Sequence, residues 1–161
     1  MDYPQDKLAW RCDRSFMVGP DLLAAPLMAG ETSLDVYLPA GTWREFATGK
    51  AIQGGQTITL ENVSIDHIPL YVRDGAILPL AAPDARPVSG ATLTVTAHVY
   101  ADRAARGGLY NDDGLTYSGE KLGVWHKLQW SPAEGLTALG PIPVANAVFR
   151  LAPHPVLVNG R

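Results

Sequence analysis

SLDVYLPAGTWREF, Ser33 to Phe46, is the stretch that decides how this chain folds. Leu34, Val36 and Leu38 alternate with Ser33, Asp35 and Tyr37, and a period of two sends successive side chains to opposite faces of a strand. Pro39-Ala40-Gly41 supplies a turn into a second apolar stretch, Trp43 to Phe46, so the segment predicts a β-hairpin. The same period recurs outward from it. Ile58 and Leu60 alternate with Thr57 and Thr59 after the Gly54-Gly55 break, and Ile68 to Val72 runs up to Asp74-Gly75. A strand from Ala76 to Leu80 then closes a first β block.

AAPDARPVSG, Ala81 to Gly90, loses the apolar period and carries Pro83, Pro87 and Gly90, which marks a linker and a domain boundary. Beyond it Leu93, Val95, Ala97 and Val99 share one strand face, and Thr92, Thr94, Thr96 and His98 the other. Leu122, Val124, His126, Leu128 and Trp130 make a second long alternating run, with Val148 to Leu151 and Val156 to Val158 as later strands. Helical periodicity is confined to Gln5 to Arg11. The pattern predicts an all-β chain with turn signals at the spacing of β-sandwiches.

Composition narrows the possible functions. The 161 residues suit one medium domain or two small ones that lean on each other. A net charge of −3 with no Lys/Arg cluster offers no row of cations for phosphates, so nucleic acid is not expected as a partner. The lone Cys12 leaves no intramolecular disulfide and no Cys-rich zinc site. Asp2 and Asp6 stand where a signal peptide needs positive charge, and no uninterrupted apolar run reaches the roughly 18 residues of a membrane span. A soluble, non-membrane chain, with the cytoplasm favoured, is the expectation.

Several segments, in order, resemble the region just after the catalytic barrel of glycoside hydrolase family 31, the α-glucosidase/α-xylosidase family. AWRCDRSFMVGPDLLAAPLM resembles the last barrel strand and the exit from it. DVYLPAGTWREFATGKAIQGGQTI resembles the first strands of the family's proximal C-terminal β-domain, and IDHIPLYVRDGAILPL its closing hairpin, with Asp74 where the family usually has glycine or alanine. VYADRAARGGLYNDDGLTYSGEKLG resembles the hairpin of the distal C-terminal domain, carried by Tyr110, Asp112, Asp113, Gly114, Thr116 and Tyr117. The resemblance implies two consecutive β-sandwich-type domains after a short remnant of the preceding (β/α)8 barrel. Its divisions are 1–28 for the barrel end and exit, 29–81 for the proximal domain and 91–161 for a distal sandwich that ends early.

The resemblance also implies a function by what is missing. A retaining glycosidase needs two carboxylates about 5 to 5.5 Å apart, and in the family both aspartates lie in the barrel, so no catalytic residue is expected here. Asn111-Asp112-Asp113-Gly114 reads as a turn in which Asx side chains bond local backbone, and it lacks the register of a calcium loop. His67, His98, His126 and His154 are too dispersed for a local metal motif, and no nucleotide or acyl-transfer fingerprint occurs, so neither metal nor cofactor is expected. The expected role is a non-catalytic C-terminal region that supports the barrel of an enzyme hydrolysing terminal α-linked glucose or xylose with retention. Without the barrel, apolar surface including part of Phe16 to Leu27 predicts self-association. A free-standing carbohydrate-binding module is the alternative, with Trp125, Tyr110 and Tyr117 as candidate sugar-stacking residues among the available aromatics Trp43 and Trp130.

Overall fold

The computed structural model describes residues 3–81, 93–111, 124–139 and 147–152. Among these the regular structure is β, apart from one 3-10 turn at Ala9–Arg11. The helix predicted over Gln5 to Arg11 is therefore a single turn. Asp6 Oδ1 accepts from the amides of Leu8 and Ala9, which starts the turn, and Cys12 is already extended at φ −81° and ψ 103°, which ends it.

The chain divides by its contacts into two compact units, the first including residues 1–74 and the second 75–154. In the first, strands β1 (Phe16–Val18), β2 (Leu22–Ala24), β4 (Thr42–Glu45), β5 (Ala51–Gln53) and β7 (Leu70–Arg73) form an antiparallel sheet of order β1-β2-β7-β4-β5. Strands β3 (Leu34–Leu38) and β6 (Gln56–Leu60) form a second, two-stranded sheet. Leu34, Val36 and Leu38 of β3 meet Leu23 of β2, Trp43 of β4 and Tyr71 of β7 in one buried cluster, so the two sheets face each other across a shared core.

The alternation read in Leu34 to Leu38 is present: the three aliphatics are buried, Asp35 is exposed and Tyr37 is half-buried. The hairpin predicted from it is not. β3 pairs with β6, whereas β4 pairs with β5 and β7, so Pro39-Ala40-Gly41 carries the chain from one layer to the facing layer. The corner is held from inside by Trp43, which is 1% exposed and donates its indole N–H to the Pro39 carbonyl at 2.8 Å. Gly54 makes room for it, since a Cβ there would lie 2.0 Å from the Pro39 oxygen and 2.9 Å from the Trp43 ring.

Two further strand pairings set how the sheets are joined. β1 and β2, assigned by resemblance to the barrel end in 1–28, are hydrogen-bonded into the five-stranded sheet through β7. Strand β8 (Ala76–Ala81), expected to close the first block in a hairpin with β7, instead pairs antiparallel with β9 (Leu93–Tyr100) and parallel with β10 (Ala105–Asn111). Gly75 does adopt a positive φ of 88°, as an Asp-Gly turn requires. Its amide, however, donates to the Tyr100 carbonyl, and its own carbonyl accepts from the Arg106 amide, which draws β8 into the second sheet. The boundary expected in 81–90 falls almost wholly outside the described residues.

The second unit is built on a six-stranded sheet, β12-β11-β10-β8-β9-β13, completed by β11 (Val124–Ser131), β12 (Gly135–Leu139) and β13 (Ala147–Ala152). Val95, Ala97 and Val99 are all at most 2% exposed while Thr96 and His98 are half-buried, as the period-two reading of β9 requires. Ile77, Ala97, Val99 and Leu128 form the centre of its core, with Trp130 packed at the side. Gly107 lets β10 approach β8, because a Cβ there would meet the Ile77 carbonyl oxygen at 2.2 Å. The strand expected at Val156 to Val158 lies outside the described residues.

Candidate functional site

The first unit carries an exposed apolar row on its opening segment. Leu8, Trp10, Phe16 and Val18 are each half or more exposed, with Trp10 the highest at 59%. Phe16 and Val18 project outward from β1, an edge strand, while Met17 between them packs on the core. An edge strand with apolar side chains facing water is a surface that proteins ordinarily cover. The sequence expectation of exposed surface in Phe16 to Leu27 is met at Phe16 and Val18 only, because Leu23, Ala24, Ala25 and Leu27 are buried.

Residues 3–12 cross this unit as a strap fixed by polar side chains at two points. Tyr3 Oη accepts from Arg73 Nη2 at 2.6 Å, and the Arg73 guanidinium lies 5.4 Å from the Tyr3 ring centroid and 5.6 Å from that of Trp43. Arg73 also donates to the Pro20 carbonyl at 3.2 Å, with Asp21 at 3.8 Å from its Nε. The second fixing is Asp6, whose Oδ2 accepts from the Tyr37 hydroxyl at 2.7 Å. That bond, with the two amide bonds to Oδ1, holds the Asp6 carboxyl below the usual carboxylate range. The same bond pushes the Tyr37 phenol up to about 12.

Between strap and sheet lies an open cleft of about 290 Å³. Trp10 and Cys12 of the strap line it, together with Met17, Leu23 and Tyr37. The Cys12 thiol donates to the Leu8 carbonyl at 3.4 Å, and burial, then the charges of Asp6 and Asp13, push its pKa up. It is the only cysteine of the chain.

Of the residues singled out for sugar stacking, Tyr110 lies on β10 and is 38% exposed. The β10–β11 register sets Trp125 directly across from it. Tyr117, with Asp112, Asp113, Gly114 and Thr116, lies outside the described residues. Trp43, counted among the available aromatics, is core, and Trp130 packs against the second core. Among the described residues there is no group of three or more His, Cys, Asp or Glu that could hold a metal ion, and no helix is long and apolar enough to cross a membrane.

The strap was not legible as a site. Tyr3 and Arg73 stand 70 residues apart, and Asp6 and Tyr37 stand 31 apart, so no local motif joins them. The available signal was the pair Leu8 and Trp10, two large apolar residues set among Lys7, Arg11 and Asp13.

An exposed apolar edge at Phe16 and Val18 of an all-β chain is the kind of surface that a neighbouring domain covers. Residues 1–78 match the family profile described as the glycosyl hydrolase family 31 C-terminal domain. The chain is 34% identical over 123 residues to an α-xylosidase of Saccharolobus solfataricus, a match covering 75% of this chain and 17% of that protein. A probable α/β-glucosidase of Arthroderma benhamiae is 39% identical over 117 residues, 70% of this chain and 14% of the relative. The crystal structure of a family 31 α-xylosidase from Xanthomonas citri superposes with a TM-score of 0.73 at 34% identity, covering 96% of this chain and 18% of that one. This chain is a C-terminal β-region of glycoside hydrolase family 31. It spans less than a fifth of the length of these relatives.

Proposed function

We propose that the chain is the non-catalytic C-terminal part of an α-glycosidase and that it braces the catalytic barrel. The observation that carries this reading is the uncovered row Leu8, Trp10, Phe16 and Val18, which lies on the opening segment of a chain whose relatives are several times longer. Burying such a row is worth about 1.5–3 kcal/mol for each large side chain fully covered. In the parent enzyme the barrel supplies the cover and the two catalytic carboxylates, and the reaction is hydrolysis of a terminal α-linked glucose or xylose with retention. Alone, the chain turns over no glycoside and associates with itself through the same row. The test is the parent enzyme, expressed from the whole reading frame, with Trp10→Asp or Phe16→Asp. Loss of thermal stability in the parent, with the isolated chain still folded, supports the reading, and an unchanged parent refutes it.

A second reading rests on a different surface. Tyr110, exposed on β10 and paired in register with Trp125, sits on a strand face that also carries exposed Arg106 and Gly108. Aromatic cross-strand pairs of this kind can form a platform for sugar C–H faces. As a carbohydrate-binding surface it would act beside the brace or in its place.

A further inference from the structure

We infer that the cleft between strap and sheet is a socket for one large apolar side chain of the catalytic part. The inference rests on the bracing reading and names its anchor. The strap is fixed by polar bonds at Tyr3–Arg73 and Asp6–Tyr37, with Tyr3 also packed against the core, and the cleft opens beside Trp10. Trp10 lines the cleft with 59% of its surface exposed, so it walls the space without filling it. The cleft is thus lined by the apolar Met17 and Leu23 and by the exposed aromatics Trp10 and Phe16, and has a volume of about 290 Å³.

Protein interiors leave few voids of this size, and interfaces place their strongest contacts where a bulky side chain enters such a pocket inside a rim that excludes water. The occupant is assigned to the catalytic part because the exposed apolar residues beside the cleft all fall within residues 8–18, and the relatives extend far beyond the C-terminal region matched. Ser15 and Cys12 put two weakly polar groups at the cleft wall, which an aromatic side chain tolerates and a charged one does not satisfy. Asp6 and Arg73 are then positioning residues that keep the socket open.

The test compares the isolated chain with the parent enzyme from the whole reading frame. Cys12 is alkylated with iodoacetamide at alkaline pH and its peptide is followed by mass spectrometry, alongside Ser15→Leu, which fills the cleft from within. If the socket is occupied, Cys12 reacts about tenfold or more slowly in the parent than in the isolated chain, because it is reached only by local opening. Ser15→Leu then lowers the parent's melting temperature by about 2–4 °C, the shift expected for about 1 kcal/mol in a large domain, without lowering that of the isolated chain. Equal Cys12 reactivity in both, with a parent destabilised by Trp10→Asp, overturns the socket and leaves the bracing reading standing. An unaffected Trp10→Asp parent removes the bracing reading itself. If Ser15→Leu unfolds the isolated chain, the Cys12 rates decide alone.

Discussion

The Tyr37 hydroxyl donates to the Asp6 carboxylate at 2.7 Å, tying residues 3–12 to the C-terminal end of β3. Asp6 titrates below the usual carboxylate range chiefly because of this bond, so Tyr37→Phe should raise its pKa, as read from the carboxyl resonance by NMR. The sign for stability follows from the depressed value. The contribution is present above the unfolded-state carboxylate pKa and is lost as pH falls through the lower folded-state value. Tyr37→Phe should therefore weaken protection of the strap amides near neutral pH while leaving the acid limb nearly unchanged. A strap that exchanges identically in both proteins would show that the bond does not hold it.

Trp43 and Gly54 define the corner between the two sheets of the first unit. Gly54→Ala forces a Cβ to within 2.0 Å of the Pro39 carbonyl oxygen, which is also the acceptor of the Trp43 indole N–H. The expected loss is about 1–3 kcal/mol or more from overpacking, measured by urea unfolding. A neutral substitution would mean that the corner can open without cost.

Arg44 is a buried cation, 9% exposed, paired with Asp74 and donating to the Gly49 carbonyl at 3.4 Å. Removing the carboxylate in Asp74→Ala leaves the guanidinium short of a partner. Fully buried pairs lose about 3–5 kcal/mol in this way, but the Asp74 side chain is 37% exposed and water screens it, so about 1–2 kcal/mol is expected. Asp74→Asn, which keeps a hydrogen-bond acceptor, should lose less, and equal losses in the two variants would show that charge matters more than the acceptor.

The uncovered row should make the isolated chain associate as concentration rises, which light scattering reads directly. Phe16→Ser with Trp10→Ser should reduce that association. A clean monomer over a wide concentration range in the unsubstituted chain argues against it.

If the strand face at Tyr110 binds sugar, Trp125→Ala should weaken retention on immobilised glycans by about 0.5–1.5 kcal/mol, the scale of an aromatic stacking contact, with little change in melting temperature. Parallel losses of retention and stability would make Trp125 a packing residue.

The strands were largely legible because their cause is local. Leu34, Val36 and Leu38, or Val95, Ala97 and Val99, declare a buried face by period alone. Their partners were not legible. Pro39-Ala40-Gly41 reads as the same turn whether the chain doubles back in one sheet or steps to the facing one, and the burial of Trp43 beneath Pro39 decides it. Gly75 has the positive φ that a glycine in a tight turn uses, yet β8 follows hydrogen bonds to Tyr100 and Arg106 that lie at least 25 positions away. The apolar row and its cleft were hidden for the same reason, since whether Trp10 is exposed depends on where Tyr3 and Asp6 find Arg73 and Tyr37.

The most direct measurement is hydrolysis of an α-xyloside and an α-glucoside by the product of the whole reading frame containing this chain, set beside the isolated chain and the Trp10→Asp product. Turnover by the whole product is expected, with none by the chain, and a Trp10→Asp product that loses activity at a lower temperature. Turnover by the isolated chain, or a whole product indifferent to Trp10→Asp, would contradict this expectation.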